Sequence, residues 1–247
     1  MAGVIVSALL LSSVKAQTAE SEAPIVVYGY HLKPPFIINE NQQLGLYYEF
    51  SRYMNRKVKK NWLRTEYIPR RRLEQELAQP QFRGMVIGVN PIWFSDKDNQ
   101  KYLWSSPILR DRDEILSLIA KPVEYTQPRD LFGKTLGLVH GLYYFGISEE
   151  VARGNIRSEE VNSEIHNLEK LLRSRLDVTI ISRSTLNFYL KTHQVSNLIH
   201  ISAKPHDEFD RQLLCSKTLS QAFEQLEPLI ANMPADPEWS AILNQYH

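Results

Sequence analysis

The chain has 247 residues, of which 43% are hydrophobic and 23% charged, and its formal net charge is +1. This composition is typical of a folded globular protein with one large domain or two small ones, and it excludes disordered, collagen-like and coiled-coil chains. A net charge so close to zero supplies no field that attracts phosphate backbones. We therefore expect no nucleic-acid partner.

The first 16 residues have features of a secretory signal peptide. An apolar stretch at 4–11 is too short to span a bilayer, and the residues Val14 and Ala16 that follow it suit signal-peptidase cleavage. No Lys or Arg precedes the apolar stretch, and the alternative is a buried N-terminal helix. We predict export, with residues 1–16 removed by cleavage near Ala16.

After the leader, the chain alternates between predicted strands and helices. Runs of β-branched, apolar and aromatic residues predict the strands, and apolar residues at helical spacing predict the helices. This order predicts a parallel sheet with helices on its faces. The predicted strands are 25–30, 62–68 and 85–89, and the predicted helices are 46–57 and 70–78.

Beyond Pro107 the alternation begins again and predicts a second α/β unit. No flexible linker separates the units, so we predict two closely packed lobes, with a cleft beyond the carboxyl ends of their strands. The predicted strands are 114–120, 135–140, 178–181, 198–201 and 212–216, and the predicted helices begin near 144 and cover 165–172, 186–189, 219–230 and 239–246.

Five short motifs occur in an order that resembles bacterial extracellular solute-binding proteins of family 3. The resemblance covers essentially the whole chain after the leader. It implies an α/β fold of the two-lobed type II periplasmic binding protein class, in which each lobe has a central, mostly parallel sheet flanked by helices and the ligand cleft lies between the lobes. The motifs are Val-Tyr-Gly-Tyr at 27–30, Pro-Pro-Phe at 34–36, Gly-Leu-Tyr-Tyr-Glu at 45–49, Trp-Ser-Ser-Pro at 104–107 and Asp-Leu-Phe-Gly-Lys-Thr-Leu-Gly at 130–137.

The resemblance also implies a division of the chain and a mechanism. We expect residues 24–109 plus 213–247 to form lobe 1 and residues 110–212 to form lobe 2. Two crossover strands, near 108–112 and 212–216, would let the lobes rotate and close around a ligand. Such a protein is periplasmic and delivers its ligand to an inner-membrane ABC permease, and the alternative is a sensory role in which it docks on a receptor.

The amino-acid recognition residues of that family are not present at the matching positions. Asp98 stands where the family has the arginine that binds the ligand carboxylate, and 84–104 contains no arginine. Lys97, Lys101 or the arginines at 70–72 are the candidate replacements. Ser182 stands where the family has the aspartate that neutralises the ligand ammonium, a task a hydroxyl cannot perform. We therefore expect a ligand other than a standard α-amino acid.

Eight side chains are candidates for ligand binding on the predicted cleft loops. Aromatic rings can cover a ligand, and the amide, hydroxyl, imidazole and guanidinium groups can hydrogen-bond it. The alternatives are core or hinge packing for the aromatic residues, an internal ion pair for the arginine and a structural role at a strand end for the histidine. The candidates are Tyr30, Phe36, Arg72, Asn90, Trp93, His140, Tyr143 and Ser182.

No enzyme motif occurs in the sequence. A nucleophile elbow, a Cys–His arrangement, a phosphate-binding glycine loop and a metal-ligand cluster are all missing. The single cysteine, Cys215, cannot form an internal disulfide. We therefore expect a monomeric binding protein without a cofactor or metal.

Overall fold

The computed structural model describes residues 23–246, which form ten strands and seven helices. The strands are β1 (Ile25–Gly29), β2 (Leu63–Tyr67), β3 (Met85–Val89), β4 (Leu103–Trp104), β5 (Leu109–Leu118), β6 (Thr135–Val139), β7 (Arg157–Val161), β8 (Val178–Ser182), β9 (Ile199–Ile201) and β10 (Asp207–Cys215). The helices are α1 (Leu46–Val58), α2 (Arg70–Leu77), α3 (Ile147–Ala152), α4 (Glu164–Leu172), α5 (Arg183–Thr192), α6 (Ser220–Asn232) and α7 (Pro237–Tyr246). The predicted signal peptide lies outside the described residues.

Lobe 1 is built on the parallel strands β2, β1 and β3, with the end of β10 antiparallel to β3 and β4 beside it. Both faces of this sheet are covered. Phe50 of α1, Leu226 of α6 and Trp239 of α7 pack in one buried cluster, and Leu73 of α2 packs in a second cluster with Val86 of β3. Apolar burial on both faces explains why β3 is apolar along its whole length.

Lobe 2 is built on the order β5-β8-β6-β7, with β9 also pairing with β5. Strands β6, β7 and β8 are parallel to one another, and β5 is antiparallel to β8. Buried clusters lie on both faces here too, one around Leu136 and Ile180 and one around Leu168 and Leu186. The two sheets thus have separate cores.

Strand β10 joins the two sheets. Arg211 pairs with Leu109 of β5, and the next residue, Gln212, pairs with Val89 of β3. The register shifts between Gln212 and Leu213, so the strand changes sheets beside an irregularity. The chain crosses in the other direction between β4 and β5. The protein therefore has two lobes that are connected by two adjacent crossover strands.

Several predicted boundaries were wrong. Strand β10 begins at Asp207 rather than 212, because its polar first half pairs with β5. The helix predicted from 144 begins at Ile147, after Gly146 at φ 75°. Strand β7 was not predicted, because its sequence Arg-Ser-Glu-Glu-Val is that of a solvated edge strand. Within 23–246, no helix has the length and apolarity needed to cross a membrane.

Candidate functional site

The loop after β1 brings aromatic and basic side chains of lobe 1 into the cleft. The prolines at 34 and 35 cannot continue the strand, so the chain turns there. His31 stacks on Tyr30 with ring centroids 4.0 Å apart, and its Nδ1 lies 3.0 Å from Tyr47 Oη. Phe36 is fully buried and lies against Tyr47. The loop therefore forms an aromatic wall.

Arg211 of β10 is the central cation of this wall. It donates to Asp111 Oδ2 at 2.8 Å and to the Gly88 carbonyl at 3.1 Å, and its Nη1 lies 3.4 Å from His31 Nε2. The guanidinium lies 4.3 Å from the centre of the Phe36 ring. Its side chain is only 3% exposed. A buried guanidinium therefore lies where the two lobes meet.

The protonation of its neighbours follows from this cation. Because arginine only donates, His31 Nε2 accepts and Nδ1 carries the proton toward Tyr47 Oη. Burial, with the cations Arg211 and Lys33, holds the pKa of His31 well below its usual value, so the ring is neutral. Burial raises the pKa of Asp111, but the charge and hydrogen bond of Arg211, the Ser184 amide and the Lys33 charge together outweigh it and hold that pKa below its usual range.

A second ion pair connects the lobes directly. Lys33 Nζ of lobe 1 lies 2.5 Å from Glu164 Oε1 at the start of α4 and 3.1 Å from Ser182 Oγ at the end of β8. Thr185 of α5 donates to the carbonyl of Pro34 at 2.7 Å. The loop after β1 is thus bound to three elements of lobe 2.

Asp113 adds a further carboxyl group to the same place. It follows Asp111 by two residues on β5, so both side chains lie on one face of the strand. Among residues 23–246, none donates a hydrogen bond to its carboxyl group. Burial and the repulsion of Glu164 raise the pKa of Asp113 to about 7. The site therefore holds three acidic groups and the two cations Lys33 and Arg211.

The opposite face of β5 carries a separate ion cluster. Glu114 is fully buried and pairs with Arg112 and with Arg183 Nε, the latter at 2.7 Å. Strand alternation separates this cluster from Asp111 and Asp113. All three residues belong to lobe 2, so this cluster does not connect the lobes.

Four of the predicted residues lie around the two ion pairs. Tyr30 and Phe36 contact His31, Trp93 lies over Phe209 at a centroid distance of 4.9 Å, and Ser182 contacts Lys33. Trp93 is also 5.8 Å from the Arg211 guanidinium. The structure therefore brings together the aromatic candidates of lobe 1 and the hydroxyl candidate of lobe 2.

Asn90 is buried and holds the loop after β3. Its Oδ1 accepts from the backbone amides of Ile92 and Trp93 at 3.1 and 3.2 Å. The turn it stabilises positions Trp93 beside a groove of about 530 Å³ lined by Trp93, Lys97, Arg110 and Phe209, among others. Asn90 therefore positions Trp93 through this turn.

The other three candidates lie elsewhere. Arg72 is exposed and its Nε is 3.9 Å from Glu76, whereas Arg70 lies 4.9 Å from the Tyr30 ring. His140 pairs with Glu160 at 2.8 Å on an exposed strand end. Tyr143 is 68% exposed and bonds to Glu149. Arg70, not Arg72, is the member of the arginine run that contacts the cleft aromatics.

The residues that carry most of the cleft charge were not among the candidates. Asp111 lies in the predicted crossover segment 108–112, Arg211 comes directly before the other at 212–216, and the alternation of Asp111 with Asp113 is visible in the sequence. Lys33 sits in the motif loop beside Pro34. None of these signals shows that Glu164, 131 residues from Lys33, lies next to it. In the described part of the chain, no group of three His, Cys, Asp or Glu side chains is arranged to hold a metal.

Comparisons place this architecture among known folds. No protein-family model and no curated protein matches the sequence. An ancestral arginine-binding protein bound to arginine aligns with a TM-score of 0.65 and 15% identity, over 91% of this chain and 98% of its own. The GluR0 ligand-binding core from Nostoc punctiforme, in complex with L-glutamate, aligns with a TM-score of 0.66 and 14% identity, over 90% and 99%.

A third similar structure is the periplasmic VFT2 domain of Bordetella pertussis BvgS, with a TM-score of 0.60 and 13% identity, over 90% of this chain and 93% of that domain. All three alignments cover nearly the whole of both chains, so the likeness includes both lobes and the crossovers between them. The fold resemblance stated from the motifs is thereby confirmed. The chain has the two-lobed type II periplasmic binding protein fold.

Proposed function

We propose that the chain binds a small molecule in the cleft between its lobes and closes around it by rotation at the crossover strands. The observation that carries this proposal is the arrangement of Lys33, Glu164, Asp113 and Arg211, charged groups contributed by both lobes where they meet. Charged groups clustered in a cleft, with pKa values shifted by burial and by one another, are typical of ligand sites. We divide the lobes at 109/110, at the start of β5, and at 212/213, one residue after β10 changes sheets.

We propose a ligand other than a standard α-amino acid. A ligand carboxylate needs a guanidinium that is open to the cleft, but the Arg211 side chain is only 3% exposed, and its Nε and Nη1 already donate to Asp111 and to the Gly88 carbonyl. Lys97 and Lys101 are exposed. The cleft thus offers acidic groups more readily than a free cation.

Two uses of the bound ligand remain in this proposal. In the first, the exported protein works in the periplasm as a monomer and delivers its ligand to an inner-membrane ABC permease. In the second, a receptor reads the closed lobes, and the similarity to a ligand-binding core and to a periplasmic domain supports this alternative. Both are binding roles without catalysis, a cofactor or nucleic acid.

A thermal-shift screen tests the proposal. The panel comprises amino acids, di- and tricarboxylates, polyamines, sugars, short peptides and aromatic acids, because a compound that binds only the native state raises the melting temperature. We expect a rise with a compound that is not a standard amino acid. The rise should shrink in Trp93→Ala and persist in Asp98→Asn, an exposed change outside the cleft. A panel without any stabilising compound contradicts the proposal.

A further inference from the structure

Ser182 holds the Glu164 carboxylate of lobe 2 in place. The backbone amide of Ser182 donates to Glu164 Oε2 at 3.3 Å, and the Ser182 hydroxyl donates to the same oxygen at 3.1 Å. Glu164 Oε1 is the oxygen that faces the cleft and meets Lys33. The Glu164 and Ser182 side chains are buried. Lobe 2 alone therefore orients the Glu164 carboxylate. Its second oxygen, Oε1, accepts from Lys33 of lobe 1.

Lys33 of lobe 1 reaches across the cleft to Glu164 and Ser182. Its side chain is 18% exposed, and its Nζ lies 5.8 Å from the centre of the Phe36 ring. Within residues 23–246, Glu164 is the one acidic residue with which Lys33 forms an ion pair. An ammonium group has three donors. Glu164 Oε1 and Ser182 Oγ take two of them, and Asp113, whose pKa is raised to about 7, is a further acidic group nearby.

Separation of the lobes would break this arrangement completely. Lys33 would lose its anionic partner, and Glu164 Oε1, which faces the cleft, would exchange the lysine ammonium for water. The bond from Thr185 to Pro34 would break with it, because both contacts involve the same loop. The ion pair is therefore coupled to lobe closure rather than to the stability of either lobe.

We propose that Lys33 is a tethered ammonium that holds the lobes closed, and that free primary amines are the ligand class that replaces it at Glu164 and Ser182. The amine half of this inference rests on the proposed binding function, and the closure half does not. An alkyl body next to the ammonium would lie where the Lys33 stem now lies, along the Phe36 ring.

Removal of the tether tests closure without any ligand. Lys33→Met keeps the apolar stem and deletes the charge, and Glu164→Gln deletes the opposite charge. We expect small-angle X-ray scattering to show a larger radius of gyration for both variants than for the unaltered protein, with unchanged circular dichroism. Lys121→Met, an exposed lysine of lobe 2, should scatter like the unaltered protein. Equal compactness of all four proteins would overturn the closure half.

Chemical rescue tests the ligand class. In Lys33→Ala the ammonium position is open to n-propylamine, which supplies the three carbons and the ammonium that the substitution removes, whereas n-propanol has the same body without the charge. We expect the amine to restore the compactness of Lys33→Ala. It should bind to this variant about tenfold or more tighter than to the unaltered protein, where the Lys33 ammonium competes for the same position. Binding should be lost in the double variant Lys33→Ala/Glu164→Gln. Equal effects of amine and alcohol would overturn the amine half. The thermal-shift screen on the unaltered protein tests the proposed binding function separately from these two experiments.

Discussion

Arg211 and Asp111 form a buried ion pair between the two strands that connect the lobes. The Nε–Oδ2 distance is 2.8 Å, and the side chains are 3% and 1% exposed. Asp111 also accepts from the backbone amide of Ser184 at the start of α5, at 3.1 Å. One carboxylate thus connects β10, β5 and a helix of lobe 2, so the charge that meets the ligand cleft also fixes the geometry of the crossover.

Removal of one partner of this pair should be costly. Asp111→Asn leaves the Arg211 guanidinium buried without its counter-charge, and a broken buried pair typically costs about 3–5 kcal/mol. Urea unfolding should show a loss of that size. Arg211→Met/Asp111→Leu removes both charges and should recover most of it. A loss below about 1 kcal/mol in the single variant would refute a structural role for the pair.

The contribution of Asp113 to stability should fall as the pH rises from about 4 to about 7, whereas that of His31, whose pKa is lowered, should rise with pH. The Asp113 carboxyl releases its proton near 4 in the unfolded chain and near 7 in the fold, where burial and Glu164 oppose ionisation while Lys33 and Arg211 favour it. Between these values the folded state holds more protons, so the contribution is complete below pH 4 and is lost through pH 7. The loss is at most about 1.4 kcal/mol per pH unit.

Asp113→Asn should remove this dependence. The amide stays neutral, so the variant should be more stable than the unaltered protein at pH 8, and that advantage should shrink at pH 5. Urea unfolding at the two pH values provides the comparison. Asp98→Asn, on an exposed loop, should leave the pH dependence unchanged. An Asp113→Asn effect of equal size at both pH values would show that the pKa of this carboxyl group is not raised.

Gly88 is required by the close approach of Tyr47. A Cβ at this position would lie 1.7 Å from Tyr47 Oη, and the residue has φ 79°. Gly88→Ala would displace the ring that contacts His31 and so disturb the cleft wall. Gly133 has φ 73° with open space around its Cβ position, so Gly133→Ala isolates the backbone strain, about 1–2 kcal/mol. We expect a clearly larger loss in Gly88→Ala by urea unfolding, and equal losses would contradict the contact.

The sequence predicted the sheets because their strands are apolar on both faces, as in Met-Val-Ile-Gly-Val of β3. It did not predict β7, whose charged sequence is that of a solvated edge strand. It placed Tyr30, Phe36 and Trp93 on the cleft loops, because these loops follow the carboxyl ends of buried strands. The ion pair of Lys33 with Glu164 could not be predicted, because it depends on how two separately folded lobes meet.

Capture by lobe closure is tested most directly by scattering on the Lys33→Met variant, with and without the compound from the panel that stabilises it most. Its binding is first measured by calorimetry, so that saturation is known. We predict a smaller radius of gyration in the saturated sample, because the ligand contacts both lobes. An unchanged radius of gyration at saturation would contradict closure around a ligand in this cleft.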